Sequence, residues 1–310
     1  MQLLFDLDQI PEEWRRGALA IGKFDGVHRG HEAIIRRLCS KAKEIGGPAI
    51  AFTFSPLPIK ILAPAKAGPP LTWIERRAEL LGQLGVDGVI AYPTDHEMLG
   101  WSARYFFDWV IRDRLDAQAM IEGYNFCFGH KREGDVVLLQ KYCDESGIDL
   151  EVIRPVQVDE ERVSSSRVRR LILEGDIAAA NRLMTQPYRI RGLVVGGDRR
   201  GRELGYPTAN LQVIDTQLPA EAVYYGRGWL GDRCWPAAIS IGPNPTFSVS
   251  DLKVEVHLIG FQGDLYDQTL ELELLGKLRE IEKYNTVQEL LDQLHADVEI
   301  IKDRLTQADE

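Results

Sequence analysis

Residues 18–38 place the tightest limit on how this chain can fold. Ala18-Leu19-Ala20-Ile21 is a short apolar run, Gly22–His31 reads GKFDGVHRGH, and Glu32–Leu38 resumes with apolar residues at helical spacing. Strand, glycine-bearing turn and helix in that order open a βα unit, whose turn presents backbone N–H groups at the helix N-terminus. His28 and His31 stand three apart where that helix should begin. A positive helix end with two imidazoles suits a polyphosphate whose charge grows during reaction. The same pair also fits a plain capping role. A metal centre fits less well, because no further His, Cys or acid cluster accompanies the pair. Gly22, Gly26 and Gly30 bracket the histidines and permit a close approach to the backbone.

The βα pattern continues. Ala49–Phe54 reads as a buried strand stopped by Ser55-Pro56-Leu57-Pro58, with residues 59–70 as loop. Thr72 and Glu75 have capping-box spacing ahead of an amphipathic stretch to Leu84. Val89–Tyr92, Gln118–Glu122 and Leu150–Pro155 read as further strands, and Trp101–Leu115 and Val136–Ser146 as helices. Alternation of this kind predicts an α/β, Rossmann-like domain with a parallel sheet.

After a helical close at Ala178–Met184 the periodicity changes. Six strand-like runs follow without helices between them: Tyr188–Val195, Tyr206–Val213, Ala222–Leu230, Trp235–Ile241, Lys253–Phe261 and Thr269–Leu274. They predict a small antiparallel β-barrel, followed by a C-terminal helix over Val287–Leu305. The predicted domains are 1–185 and 186–310, a division that also suits a chain of 310 residues.

A net charge of −10 argues against a general nucleic-acid binder. Cys39, Cys127, Cys143 and Cys234 form no CxxC pair, which speaks against a zinc site or a disulfide framework. The first residues carry acids where a signal peptide carries bases, and no apolar run reaches the ~18 residues of a membrane span. A soluble, cytoplasmic protein with small-molecule partners is expected, with neither nucleic acid nor membrane among them.

Gly192–Asn210 reads GLVVGGDRRGRELGYPTAN, a composition that suits a loop around phosphate although no Walker-type motif is present. Pro207 suits a strand entry, and Thr208 and Asn210, two apart, share a face of that strand. Their oxygens are hard ligands suited to Mg²⁺ beside nucleotide phosphates. A Gly/Arg surface loop fits the composition equally well. In the run KVEVHLIGF, Val254, Val256 and Leu258 alternate with Glu255, His257 and Ile259. A mid-strand glutamate such as Glu255 is commonly just solvated.

On these residues the chain resembles the bacterial bifunctional riboflavin kinase/FAD synthetase family. Gly22–His31 is similar to its GxFDGVHxGH signature, and Gly123–Gly129 (GYNFCFG) to its Gly-x-Asn/Asp-Phe-x-Phe-Gly segment. Val163–Arg169 (VSSSRVR) is similar to its I-S-S-T-x-I-R loop, Gly197–Asn210 to G-x-x-x-G-R-x-L-G-x-P-T-A-N, and Ile241–Phe247 to I-G-x-x-P-T-F. The resemblance implies a nucleotidyltransferase domain in which His28 and His31 are catalytic. It assigns ATP and phosphate contacts there to Gly22, Phe24, Asp25, Gly26, Gly30, Asn125, Ser164, Ser165, Ser166 and Arg169, and flavin contacts to Phe126 and Phe128. In the second domain it assigns phosphates to Gly197, Gly201, Arg202 and Pro207, Mg-ATP to Thr208 and Asn210, the general base to Glu255, and flavin or its phosphate to Arg279. His257 reads as a structural strand residue. The implied reactions use ATP as co-substrate and Mg²⁺, make FMN from riboflavin, and make FAD from FMN.

There are departures. Thr53–Pro58 reads TFSPLP where the family has TFDPHP, so Ser55 and Leu57 replace an acid and a histidine. Ser240 stands for a usual asparagine, and Ala222-Val223-Tyr224 for G-V-Y. A kinase with a degenerate first domain and a non-catalytic flavin- or nucleotide-binding regulator both stay open on the sequence alone.

Overall fold

A computed structural model describes residues 2–197, 201, 204–244 and 249–309. The chain divides into two compact units, Met1–Ser165 and Ser166–Glu310.

The first unit contains β1 (Gln2–Leu4), β2 (Ala18–Ile21), α1 (Arg29–Ile45), β3 (Ala49–Ser55), α2 (Pro58–Leu62), α3 (Ile74–Gln83) and β4 (Gly88–Pro93). It continues with α4 (His96–Leu99), α5 (Ala103–Phe106), β5 (Ala119–Gly123), β6 (Cys127–Phe128), β7 (Gly134–Asp135), α6 (Val136–Ser146) and β8 (Asp149–Ile153). A hairpin of β9 (Gln157–Val158) and β10 (Glu161–Arg162) follows. Six strands form one parallel sheet in the order β1-β4-β3-β2-β5-β8. The chain winds from β2 through β3 to β4 in one direction, and β5 and β8 lie on the other side of β2. This reversal is the point where α/β sheets open a crevice for ligands at their strands' carboxyl ends.

Successive strand residues feed opposite faces of the sheet. Leu19, Ile21, Ile50, Phe52 and Met120 join Phe106, Phe107 and Leu139 in one core. Ala18, Ala20, Ala49, Ala51 and Ala119 join Ile35, Leu38 and Ala42 of α1 in the other, where small side chains let the helix lie close.

Three local expectations change. Residues 59–70 contain α2 and a 3₁₀ turn over Pro64–Lys66, each begun by a proline whose fixed φ suits a first helical position. The helix expected over Trp101–Leu115 is α5, capped by Ser102, running into a π-helix over Phe107–Arg114. Thr72 does not cap α3; Trp73 is its N-cap, with no side-chain capping bond, and the Thr72 hydroxyl is engaged by Gly26 N–H.

In the second unit, α7 (Ser165–Leu173) crosses the division and α8 (Ile177–Leu183) follows. Then come β11 (Arg189–Val195), β12 (Ala209–Gln212), β13 (Ala222–Leu230), β14 (Arg233–Asn244), β15 (Val249–Leu258), β16 (Thr269–Arg279) and α9 (Val287–Asp309). The six strands close an antiparallel barrel in the order β11-β12-β15-β14-β13-β16. Its interior holds Ile190, Leu211, Ile239, Val254, Val256 and Leu272, all buried. Periodicity alone places the boundary at 185, whereas α7 and α8 go with the barrel. Asn181 explains this locally: its amide donates to the Leu274 carbonyl (2.9 Å) and accepts from Tyr188 N–H (2.9 Å). Among the described residues no helix is long and apolar enough to cross a membrane.

Candidate functional site

At the carboxyl end of β2 the backbone is left-handed at Phe24 (φ 46°), Gly26 (φ 85°) and Val27 (φ 33°). Glycine accepts such angles; a β-branched valine is strained there. Buried polar contacts hold the turn. Asp25 Oδ1 accepts from Leu71 N–H (2.8 Å) and Thr72 N–H (3.2 Å). The Thr72 hydroxyl accepts from Gly26 N–H (3.1 Å), and the Thr53 hydroxyl donates to the Lys23 carbonyl (3.0 Å). Arg77, only 3% exposed, places Nη2 3.6 Å from Asp25 Oδ1.

His28 is the N-cap of α1. Its Nδ1 accepts from His31 N–H, and His31 Nδ1 accepts from His28 N–H, both at 3.3 Å. The two rings stack with centroids 3.6 Å apart, and Phe24 meets His31 edge-on at 5.3 Å. A ring nitrogen that accepts carries no proton, so this network assigns both neutral imidazoles a hydrogen on Nε2. Burial pushes the His28 pKa down to about 4, against its backbone hydrogen bond. Burial first, then the charges of His28 and Arg77, holds His31 well below the ordinary histidine range. The pair is therefore neutral at neutral pH and offers two Nε2–H donors at the positive end of a helix.

The serine segment comes to this turn. Ser165 Oγ donates to the Asp25 carbonyl (3.0 Å). A Cβ on Gly30 would lie 3.1 Å from the His28 ring and 3.7 Å from the Val163 carbonyl, so glycine allows that approach. Ser164 is half-buried beside Ser165. Ser166 and Arg169 fall on α7 in the second unit, where Arg169 Nη1 donates to Gln217 Oε1 (3.1 Å).

Across the crevice, β2 pairs with β5 at Ala18 and Leu19 and no further. Beyond, the buried Glu122 carboxyl accepts from Ile21 N–H (2.8 Å), and burial raises its pKa well above the carboxylate range. Asn125 follows in a turn closed by Phe126 N–H on the Gly123 carbonyl (2.9 Å), and its side chain is exposed. Phe126 and Phe128 stack at 5.5 Å, but Phe128 is buried in the core, so only Phe126 presents an open face. At the departure from the family pattern, the Ser55 carbonyl accepts from Thr94 N–H (3.3 Å), and Leu57 is buried as the N-cap of α2.

In the barrel, Asn210 on β12 lies directly opposite Glu255 on β15, and Glu255 opposite Ser240 on β14. Leu211, Val254, Val256, Ile239 and Ile241 point inward. Asn210, Glu255 and Ser240 therefore form one row on the outer face. A Cβ on Gly197 would overlap the Asn210 amide, and one on Gly201 would lie 3.3 Å from Thr208 Oγ1. Glycine at 197 leaves room for the Asn210 amide, and glycine at 201 for the Tyr206 carbonyl, which a Cβ there would overlap. Pro207 is exposed, and its carbonyl accepts from His257 Nδ1 (2.8 Å), which gives His257 a structural partner. Arg202 lies outside the described residues, as do Pro245, Thr246 and Phe247 of the second turn motif. Arg279 is not beside Glu255. On β16, across the barrel, its guanidinium donates to the buried Asp297 of α9 at 2.8–3.0 Å.

Arg77, Thr72, Thr53 and Glu122 are the site residues that motif reading misses. Only Glu122 carries a signal, an acid inside an apolar strand of a parallel sheet.

Residues 10–167 match the family model described as FAD synthetase, and residues 184–305 the one described as riboflavin kinase. A bifunctional riboflavin kinase/FMN adenylyltransferase of Pseudomonas fluorescens is 37% identical over 96% of this chain and 96% of its own length. Its counterpart in Escherichia coli (strain K12) is 32% identical over 95% and 94%. A crystal structure from Streptococcus pneumoniae, described as a macrolide-efflux protein, matches with a TM-score of 0.85 at 28% identity, covering 97% of this chain and 98% of that one.

Proposed function

The chain belongs to the bifunctional riboflavin kinase/FMN adenylyltransferase family, and we infer from that membership that it makes both flavin cofactors. ATP and riboflavin give FMN and ADP; ATP and FMN then give FAD and pyrophosphate. One observation carries this reading: each half of the chain is matched by its own family model.

We assign FMN formation to the barrel. Glu255 accepts the proton of the ribityl 5′-hydroxyl as that oxygen attacks the γ-phosphorus and ADP leaves. The register that sets Glu255 opposite Asn210 supports this assignment. Thr208 and Asn210 offer two hard oxygens beside the glycines of the loop, a donor set that fits Mg²⁺ sharing its shell with phosphates and water. When bound, the ion neutralises phosphate charge. Gly197, Gly201, Arg202 and Pro207 line the same phosphate subsite in this proposal. Arg279, held by Asp297, takes a positioning role at the end of β16.

FAD formation falls to the first unit. A phosphate oxygen of FMN attacks the α-phosphorus of ATP, and pyrophosphate leaves with no proton transfer required. His28 and His31 donate from Nε2–H to the phosphate oxygens that gain charge, with the turn around Gly22, Phe24, Asp25, Gly26 and Gly30 supplying backbone N–H groups. Asn125, Ser164 and Ser165 complete the polar lining, and Phe126 offers the flavin an aromatic face. Neutral imidazoles fit this task, since both remain donors at Nε2 throughout.

Chromatography of two separate incubations tests the reading. Riboflavin with ATP should yield FMN, and FMN with ATP should yield FAD and pyrophosphate. FMN without FAD would reduce the protein to a kinase; no product in either would favour a binding regulator.

A further inference from the structure

We propose that Arg77 is a positioning residue for FAD formation: its buried guanidinium clamps the strained Lys23–Val27 turn and so fixes where the Nε2–H groups of His28 and His31 point. The proposal rests on assigning adenylyl transfer to the first unit. Arg77 lies on α3 outside every motif, yet it is among the most buried charged side chains described, at 3% exposure. A cation taken out of water persists only where its surroundings supply partners for it.

Those partners converge on the turn. Arg77 stands 3.6 Å from Asp25 Oδ1, and donates to the Thr72 carbonyl (3.1 Å), the Thr72 hydroxyl (3.5 Å), the Thr53 hydroxyl (3.4 Å) and the Phe54 carbonyl (3.4 Å). Asp25 is in the turn itself. Thr72 holds Gly26 N–H and Thr53 holds the Lys23 carbonyl. One guanidinium thus ties together the groups that fix Lys23, Asp25 and Gly26. The next residue is Val27 at φ 33°, a conformation that survives only where neighbours over-determine it. After Val27 comes His28, the cap.

Arg77 also acts through charge. The charged or titratable groups acting on the two rings are each other and Arg77 from α3, whose own nearest carboxylate is Asp25 of the turn, while Glu32 on α1 is occupied by Arg29 and Arg36. Protonating either Nδ1 would set N–H against N–H and break the reciprocal cap. A fixed positive charge nearby opposes that protonation. Removing it should therefore raise the His31 pKa and carry the acid limit of FAD formation to higher pH.

The test uses the full chain with Arg77→Lys, Arg77→Met and the double change Asp25→Asn/Arg77→Met, which avoids stranding a buried carboxylate. Lysine keeps the charge and loses the fork. We expect kcat for FAD formation to fall about tenfold in Arg77→Lys and about a hundredfold in Arg77→Met, with KM for ATP changing less than about threefold. The acid limb should stay in place with lysine and move to higher pH in Arg77→Met; in the double variant, loss of the Asp25 carboxylate offsets loss of the cation and the limb should move less. Ring NMR titration of His28 and His31 reads the same shift without requiring turnover. If the wild type makes no FAD, the adenylyl-transfer assignment fails, and the titration still decides whether Arg77 governs the pair. Arg77→Met with wild-type kcat, or with ring pKa values unmoved, would overturn the proposal.

Discussion

The two glycine-rich turns of this chain, Gly22–His31 and Gly197–Asn210, are held by different means. The first is fixed by buried polar groups: its own Asp25 at 4% exposure meets, from behind, Thr72 at 4%, Thr53 at 0% and Arg77 at 3%, gathered from β3, α3 and the segment before α3. Among its described residues, the second rests on strand register. Asn210, Glu255 and Ser240 are aligned by the backbone ladders of β12, β15 and β14, and Thr208 and Pro207 stay exposed. A site held by buried side chains is sensitive to substitutions far from the chemistry, because a partner removed leaves a charge or donor unmatched. A site held by backbone ladders is sensitive mainly at its own side chains.

The sharpest way to break this comparison is to disable each site separately. His28→Ala with His31→Ala removes two Nε2–H donors and the cap, so FAD formation should fall by at least about 10³, with FMN formation unchanged. Glu255→Ala should lower FMN formation by about 10² to 10⁴ and spare FAD formation from supplied FMN. Product chromatography reads both. If either folded variant lost both products, the two sites would not be independent.

Arg279 tests whether the barrel has a buried-charge dependence of its own. Arg279→Ala would leave Asp297, 2% exposed, with Gln293 as its remaining described hydrogen-bond donor, and should destabilise the second unit by about 3 to 5 kcal/mol. Urea unfolding measures this. Asp297→Asn should cost less, since the exposed side of Arg279 can reach water. A loss of FMN formation in Arg279→Ala without a stability change would instead place the guanidinium on the flavin.

The sheet, the barrel and the final helix were legible in the sequence because each rests on periodicity: the AIAFTF strand, the alternating KVEVH run and the heptad-like spacing of α9. The phosphate-turn candidates were legible because their residues are contiguous. What supports them was not. Arg77 sits in an amphipathic stretch where an arginine ordinarily faces water, and nothing local marks it as buried. Thr72 has the spacing of a capping box, but the Gly26 amide, 46 residues away, claims its hydroxyl. In the sequence Ser240 stands out only as a departure from a motif, and its place opposite Glu255 depends on a strand pairing that sequence spacing does not give.

A pH titration of stability sharpens the contrast from the side of the first unit. His28 has a folded pKa of about 4 against an ordinary 6.5. Between those values the unfolded chain binds more protons, so stability present above pH 6.5 is lost progressively as pH falls toward 4. The gap of about 2.5 units corresponds to about 3 kcal/mol, and His31 acts in the same direction. Urea midpoints measured at stepped pH should show the loss. His28→Asn, a neutral N-cap, should flatten it.

The smallest expected effect is the most discriminating for the barrel. Side chains directly opposite on one face of an antiparallel pair have Cβ atoms about 4.5 to 5.5 Å apart, so the Ser240 hydroxyl is within reach of the Glu255 carboxylate. A donor beside a carboxylate favours its ionised form, and removing the donor raises its pKa. Ser240→Ala should therefore move the acid limb of FMN formation to slightly higher pH and lower kcat/KM by about threefold, the effect of a cross-strand contact worth under about 1 kcal/mol. Arg77→Met, by contrast, acts on FAD formation from behind the phosphate turn, through a side chain that is itself buried. If Ser240→Ala cost as much as Arg77→Met, the barrel site would also depend on finely set side-chain support, and register alone would not account for it.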